Sequence, residues 1–84
     1  MKMYRGTVES IDGKPLKHYS GYKTVKGVFV NKPEEGKLFL FHTFTGIADD
    51  MGMYISVERC VEDDNVIIFT NTINRKFKLT IEEE

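Results

Sequence analysis

The sequence has very little cysteine and no long apolar run, and both absences exclude classes of protein. Cys60 is the single cysteine among 84 residues, so an internal disulfide and a zinc site built on paired thiolates are excluded. We interpret it as a half-buried strand residue. No apolar run approaches the ~18 residues of a membrane span, and the opening MKMYRGTVES is polar where a signal peptide would be apolar. We therefore expect a cytoplasmic protein that has no contact with a membrane.

Motifs of nucleophilic catalysis and phosphate binding are also missing from the sequence. No serine has a GxSxG setting, and no GK[ST] phosphate loop occurs. A metal-dependent hydrolase would require the two histidines, His18 and His42, to converge with Asp49 and Asp50. Nothing in their spacing requires that convergence, so we expect no catalytic activity, no metal and no cofactor, and keep the hydrolase as an alternative.

The composition is that of one small globular domain. Hydrophobic residues make up 40% of the chain and charged residues 30%, which favours neither a disordered nor a membrane protein. A chain of this length buries only a little over ~60% of the surface that it exposes when unfolded. We expect a single domain over residues 1–84, with a frayed acidic tail at 82–84.

Alternating polarity with a period of two residues predicts β-strands. In RKFKLTIEEE, the side chains of Phe77, Leu79 and Ile81 share one face, and polar residues occupy the other. The segment MYISVERCV is interpreted in the same way, and its predicted inner residues are Met53, Ile55, Val57 and Val61. The predicted connections include the turn at residues 71–74, and together these patterns indicate antiparallel hairpins.

Two other strands are apolar on both faces. These are KLFLFHTF (37–44) and VIIFTNT (66–72), which we predict to lie centrally, with both faces covered. The alternative is that some of these apolar side chains stay exposed, because a chain of this size has few elements to cover a second face. Some of them would then line a groove or a homodimer contact.

The register of an N-terminal hairpin follows from matching polarity across the pair. A three-residue loop of Ile11, Asp12 and Gly13 would pair Val8 with Leu16, Thr7 with Lys17 and Arg5 with Tyr19. Glycine suits the left-handed position of such a loop. The predicted fold is therefore all-β, a small antiparallel meander of six or seven short strands that closes into a barrel or roll. At most one short helical turn is expected, near residues 46–52.

The segment KPLKHYSGYKTVKG, residues 14–27, favours an anionic partner. Lysines neutralise phosphates and aromatic rings stack on bases, so single-stranded nucleic acid is one candidate ligand. The candidate contact residues are Lys14, Lys17, Tyr19, Tyr22, Lys23 and Lys26. A solvated edge strand has the same composition, and the pI of about 6.1 lies below that of dedicated nucleic-acid domains.

Acidic and apolar residues favour a protein partner, which is the primary hypothesis. Residues 43–84 hold nine acidic side chains and four basic ones. This excess of negative charge would attract a positively charged protein surface. The candidate contact residues are Asp49, Asp50, Glu62, Asp63, Asp64, Phe39 and Phe41. The sequence therefore predicts a non-enzymatic binding module, an adaptor or inhibitor that acts by surface complementarity, with single-stranded nucleic-acid binding as the alternative.

Overall fold

A computed structural model describes residues 2–16, 23–43 and 52–82. Six strands are present in this part of the chain: β1 (Tyr4–Ser10), β2 (Thr24–Phe29), β3 (Leu38–Thr43), β4 (Gly52–Asp63), β5 (Val66–Asn71) and β6 (Lys76–Ile81). Each strand pairs antiparallel with the next along the chain, and β1 also pairs with β6 to close the barrel. The predicted all-β meander that closes into a barrel is confirmed.

The interior of the barrel is filled by the inward-facing half of each strand. In β6, Phe77, Leu79 and Ile81 are buried as predicted. Within the described ranges, the apolar core consists of Val8, Leu16, Val25, Phe29, Phe39, Phe41, Met53, Ile55, Val57, Ile67, Phe69, Phe77, Leu79 and Ile81. Closing the sheet removes the exposed edges that an open sheet of this size would carry.

The turns between strands lie close to the predicted positions. Gly13 has φ 83°, the left-handed conformation that was predicted for it. In the turn after β5, Asn71 Oδ1 accepts hydrogen bonds from the backbone N–H groups of Ile73 and Arg75, and Asn74 has φ 65°. Asparagine is suited to both roles, because its short side chain bonds nearby backbone and it tolerates the left-handed region.

The predicted N-terminal hairpin register is wrong. Val8 lies opposite Val25 on β2 and Leu79 on β6, so both edges of β1 are occupied and Val8 does not pair with Leu16. Thr7 lies between Lys26 and Thr80, and Arg5 lies opposite Val28, so the predicted pairings with Lys17 and Tyr19 are also wrong. Matching polarity between neighbours in sequence could not identify partners that lie farther along the chain.

A β-bulge corrects the prediction for β4. The register with β5 shifts between Val57 and Arg59, which reverses the face that later residues present. Val57 is therefore buried, whereas Val61 is 68% exposed and Cys60 is half-buried. Strict alternation had placed Val61 inside with Val57.

The two strands with apolar residues on both faces are not covered on the outside by described residues. Leu38 and Leu40 on β3 are 58% and 42% exposed, and Ile68 on β5 is also exposed. A barrel of a single layer has one interior, so it buries only one face of each strand. The helical turn predicted near residues 46–52 falls outside the described residues except for its last position, where Gly52 begins β4.

Candidate functional site

An apolar groove opens in the barrel wall where β2 and β3 diverge. Among the described residues these two strands pair at only two positions, Gly27 with Thr43 and Val28 with His42. A side chain at Gly27 would overlap the carbonyl oxygen of His42, so glycine allows the close approach at this end. Beyond this pair β2 ends at Phe29, and the strands separate.

The groove has a volume of about 450 Å³ and is open to solvent. Buried Phe29 and Thr43 form its floor, because both side chains point into the barrel. Most of its other lining residues are apolar, and the outer set consists of Met3, Val28, Val30, Asn31, Leu38, Leu40 and His42. Pockets that bind small molecules or side chains commonly have this character.

Exposed apolar surface continues from the groove onto β4. Leu40 lies opposite Tyr54 in the β3–β4 ladder, and Tyr54 is exposed. The side chains of Leu40, His42 and Tyr54 all approach Gly52 to within 4 Å of the position that a Cβ would occupy there. The groove and this outer face therefore form one continuous surface, which we call the groove face, made of the groove lining together with Gly52 and Tyr54.

The described charges beside the start of β1 and the end of β2 are cationic, whereas the connection from β2 to β3 carries the exposed Glu34 and Glu35. Residues 2–8, 24–31 and 38–43 contain no aspartate or glutamate. Lys26 is exposed on β2, two residues before the groove residue Val28, and Lys2 Nζ lies 5.2 Å from the centre of the Tyr4 ring. The apolar groove therefore has cationic side chains on the β1 and β2 side.

Phe39 and Phe41, which were predicted to contact a partner, are instead buried in the core. The Phe39 ring makes edge contacts with Phe29 at 5.6 Å and Phe69 at 5.5 Å between ring centres. In the run LFLF it is the leucines that face outward. Because the run is apolar on both faces, its pattern could not show which alternate residues would be buried. The sequence prediction therefore missed Leu38 and Leu40 as exposed residues.

The described acidic candidates are not part of the groove lining. Glu62, Asp63 and Asp64 are exposed at the end of β4 and in the following turn, whereas Tyr54 is near the start of β4. Glu62 forms an exposed ion pair with Lys32 at 3.0 Å. Asp49 and Asp50 are outside the described residues.

Three of the six candidate residues in the basic segment are described. Lys14, Lys23 and Lys26 are exposed, with Lys26 on the outer face of β2 opposite Thr7. Lys14 lies in the loop after β1, where its backbone carbonyl accepts a hydrogen bond from Ser10 Oγ. Lys17, Tyr19 and Tyr22 are outside the described residues.

The proposed metal ligands include one described residue. His42 is exposed and shares the outer face of β3 with Leu38 and Leu40, as the alternation predicted. The described ranges contain no group of three or more His, Cys, Asp or Glu side chains placed to hold a metal ion. His18, Asp49 and Asp50 are outside those ranges.

A partly buried polar cluster, which no sequence pattern indicated, joins the first loop to the last hairpin. Arg75 Nε donates to Asp12 Oδ2 at 2.6 Å, and Arg75 Nη2 donates to Ser10 Oγ at 3.1 Å. Asp12 also accepts from the backbone N–H groups of Lys14 and Lys76. The pKa of Asp12 lies well below its usual range. The hydrogen bond from Arg75 is the largest cause, and it outweighs partial burial, which raises the pKa. We call Ser10, Asp12 and Arg75 the latch.

A second depression lies beside the start of β1 and is mostly polar. Its lining includes Lys2, Tyr4, Lys32 and Glu82. The cations here are already engaged, since Lys32 pairs with Glu62 and Lys2 lies over the Tyr4 ring. This arrangement leaves the groove face as the better candidate site.

No family model, curated protein sequence or solved structure matches this chain. Within residues 2–16, 23–43 and 52–82, no helix has the length and hydropathy needed to cross a membrane.

Proposed function

We propose that this protein is a non-enzymatic binding module, an adaptor or inhibitor whose protein partner is seated on the groove face. The observation that supports the proposal is the apolar groove between β2 and β3, flanked by Leu38 and Leu40, whose side chains remain 58% and 42% exposed. Small soluble domains seldom keep contiguous apolar surface of this kind without a use for it.

The expected energetics are those of an anchored interface. Covering apolar surface contributes about 25 cal/mol per Å², and a few side chains seated in pockets near the centre of an interface supply most of the binding energy. Leu38, Leu40 and Tyr54 offer a broad apolar rim, and the groove beside them offers the pocket. Shape and apolar complementarity therefore carry recognition in this proposal.

The test compares capture of proteins from a lysate of the source cells by matched variants. Leu40→Glu places a carboxylate at the groove and should remove a captured protein, whereas Val61→Glu makes the same kind of change on β4, outside the groove lining. Both positions are exposed, so both variants should retain the fold, which denaturation midpoints check. A captured protein that is retained by Leu40→Glu and Leu38→Glu alike would contradict the proposal.

A second candidate function is binding of single-stranded nucleic acid. It is favoured by Lys26 on the outer face of β2 and Lys78 on the outer face of β6, neither of which forms an ion pair with a described residue. This function predicts oligonucleotide binding that weakens steeply as salt rises and that is lost in Lys26→Glu combined with Lys78→Glu. Absence of binding to any oligonucleotide at low ionic strength would exclude it.

A further inference from the structure

We propose that the groove accepts a bulky apolar side chain from an extended, acidic segment of the partner protein. This inference rests on the proposed function and adds the chemistry of the partner. It follows from three features of the groove face: the direction of its backbone groups, the closure of its two ends, and the sign of its charges.

The backbone of β3 presents hydrogen-bonding groups to the groove. The carbonyl of Lys37 accepts from the Val57 N–H on β4 at 3.0 Å. Peptide groups alternate in direction along an antiparallel strand, so those of Leu38 and Leu40 point away from β4 and toward the groove. In the β2–β3 register the described pairs end at Val28 and His42, which leaves this stretch of β3 edge for an extended segment to pair with.

The groove is closed at both ends, which limits what it can hold. The Val28–His42 pair closes one end, and residues 30–37, which connect β2 to β3, close the other. A long strand inserted between β2 and β3 would have to break one of these closures. A short extended segment that lies over the groove and inserts one side chain requires neither change.

The charge on the β2 side of the groove favours an acidic segment. No carboxylate occurs in residues 2–8, 24–31 or 38–43, while Lys26 is exposed on β2, two residues before the groove residue Val28. Lys26 has no ion-pair partner among the described residues. On the β2 side of the groove, aspartate or glutamate flanking the apolar anchor would therefore meet a cation, which favours acidic over basic segments there. Glu34 and Glu35 lie in the connection at the other end, where Glu34 pairs with Lys37 at 2.9 Å, so we expect the acidic flank on the β2 side.

The test is selection of binders from a library of random linear peptides displayed on phage, with wild-type protein as the target. We expect the selected peptides to share an aromatic or leucine anchor flanked by acidic residues. Synthetic copies should lose binding to Leu40→Glu and weaken roughly three- to tenfold on Lys26→Glu, the cost of reversing one rim charge. The matched variant Lys76→Glu, on the outer face of β6, should leave their affinity unchanged.

The outcomes separate this inference from the proposed function. Selected peptides of neutral or basic composition, or a library that yields no binder, would overturn the acidic-segment inference even if Leu40→Glu still abolishes capture of a cellular protein. If Leu40→Glu still bound the peptides and still captured the cellular protein, both the inference and the proposed function would be overturned. A dimer in sedimentation experiments that dissociates in Leu40→Glu would show that a second copy of the chain occupies the groove, and would also overturn the inference.

Discussion

Asp12 and Arg75 form an ion pair in which Arg75 Nε lies 2.6 Å from Asp12 Oδ2, although 63 residues separate them in the sequence. The side chains are only 17% and 15% exposed, so water screens the pair weakly. Arg75 also donates to the backbone carbonyls of Lys14 and Pro15. The latch thus fastens the loop after β1 to the start of β6.

Removing the charge of Asp12 should destabilise the barrel. Asp12→Asn leaves the guanidinium of Arg75 partly buried without its counter-ion, and we expect a loss of about 2 kcal/mol in the free energy of unfolding. Denaturant midpoints at neutral pH measure this loss. As a control, Glu62→Gln breaks the exposed Lys32–Glu62 pair and should cost less than about 0.5 kcal/mol. Equal losses in the two variants would contradict the role of the latch.

The latch should also make stability depend on pH in the acid range. The pKa of Asp12 is lowered in the folded protein, chiefly by the hydrogen bond from Arg75, and the unfolded chain has an aspartate pKa of about 3.9. The pair therefore contributes fully above about pH 5, and its contribution falls as pH drops through the range below 4 toward the folded pKa. Midpoints measured from pH 6 to pH 2 should show the gap between wild type and Asp12→Asn narrowing, and a constant gap would refute this linkage.

Gly27 should be intolerant of any side chain. A Cβ there would overlap the carbonyl oxygen of His42 and crowd the Phe41 ring, so Gly27→Ala should lower stability by about 2–3 kcal/mol. Hydrogen exchange at the amides of Val28 and His42 should quicken, because these residues form the end of the short β2–β3 ladder.

Gly52 provides the matched control for this substitution. A Cβ at Gly52 would come nearest to Leu40 Cδ1 at 3.3 Å, and the end of a leucine side chain can move aside. Gly52→Ala should therefore change stability by less than about 0.5 kcal/mol. If Gly27→Ala were equally harmless, the close approach of β2 to β3 would not depend on glycine.

The bulge in β4 predicts opposite results for two valines. Val57 is buried, so Val57→Ala should cost about 2 kcal/mol, whereas Val61 is exposed and Val61→Ala should cost under about 0.5 kcal/mol. Thermal and denaturant unfolding of the two variants give the comparison. A large loss at Val61 would indicate that strict alternation continues through β4.

Cys60 should react slowly with thiol reagents. Burial is the main cause of a raised pKa of its thiol, and the Glu35 carboxylate adds to the effect. The thiol also donates to the Pro33 carbonyl, with the sulfur and oxygen 3.6 Å apart. Alkylation by iodoacetamide at pH 7.5 should be slower than that of glutathione, and Glu35→Gln should accelerate it. A rate that matches glutathione would show that Cys60 is an ordinary exposed thiol.

Alternation predicted the inner faces correctly where one face of a strand is polar and the alternation is unbroken, as in β6 and in β4 before its bulge. Phe77, Leu79 and Ile81 in β6 are the clearest case, since lysine and threonine on the other face leave a single way to bury the strand. Where both faces are apolar, as in β3, the pattern gives no such constraint. The sequence indicated that an apolar groove could exist but assigned the wrong residues to it. Phe39 and Phe41 were predicted to contact a partner, whereas Leu38 and Leu40 are the exposed residues.

The sequence by itself determined that the chain forms β-strands, roughly where they turn, and that one interior is shared among them, since these features depend on the polarity and turn preferences of neighbouring residues. Only the tertiary structure decided that β1 pairs with β2 and β6, that a bulge turns Val61 outward, and that Asp12 meets Arg75. Each of these depends on how the barrel closes. Closure brings together residues far apart in the chain, and no local pattern of residues encodes that geometry.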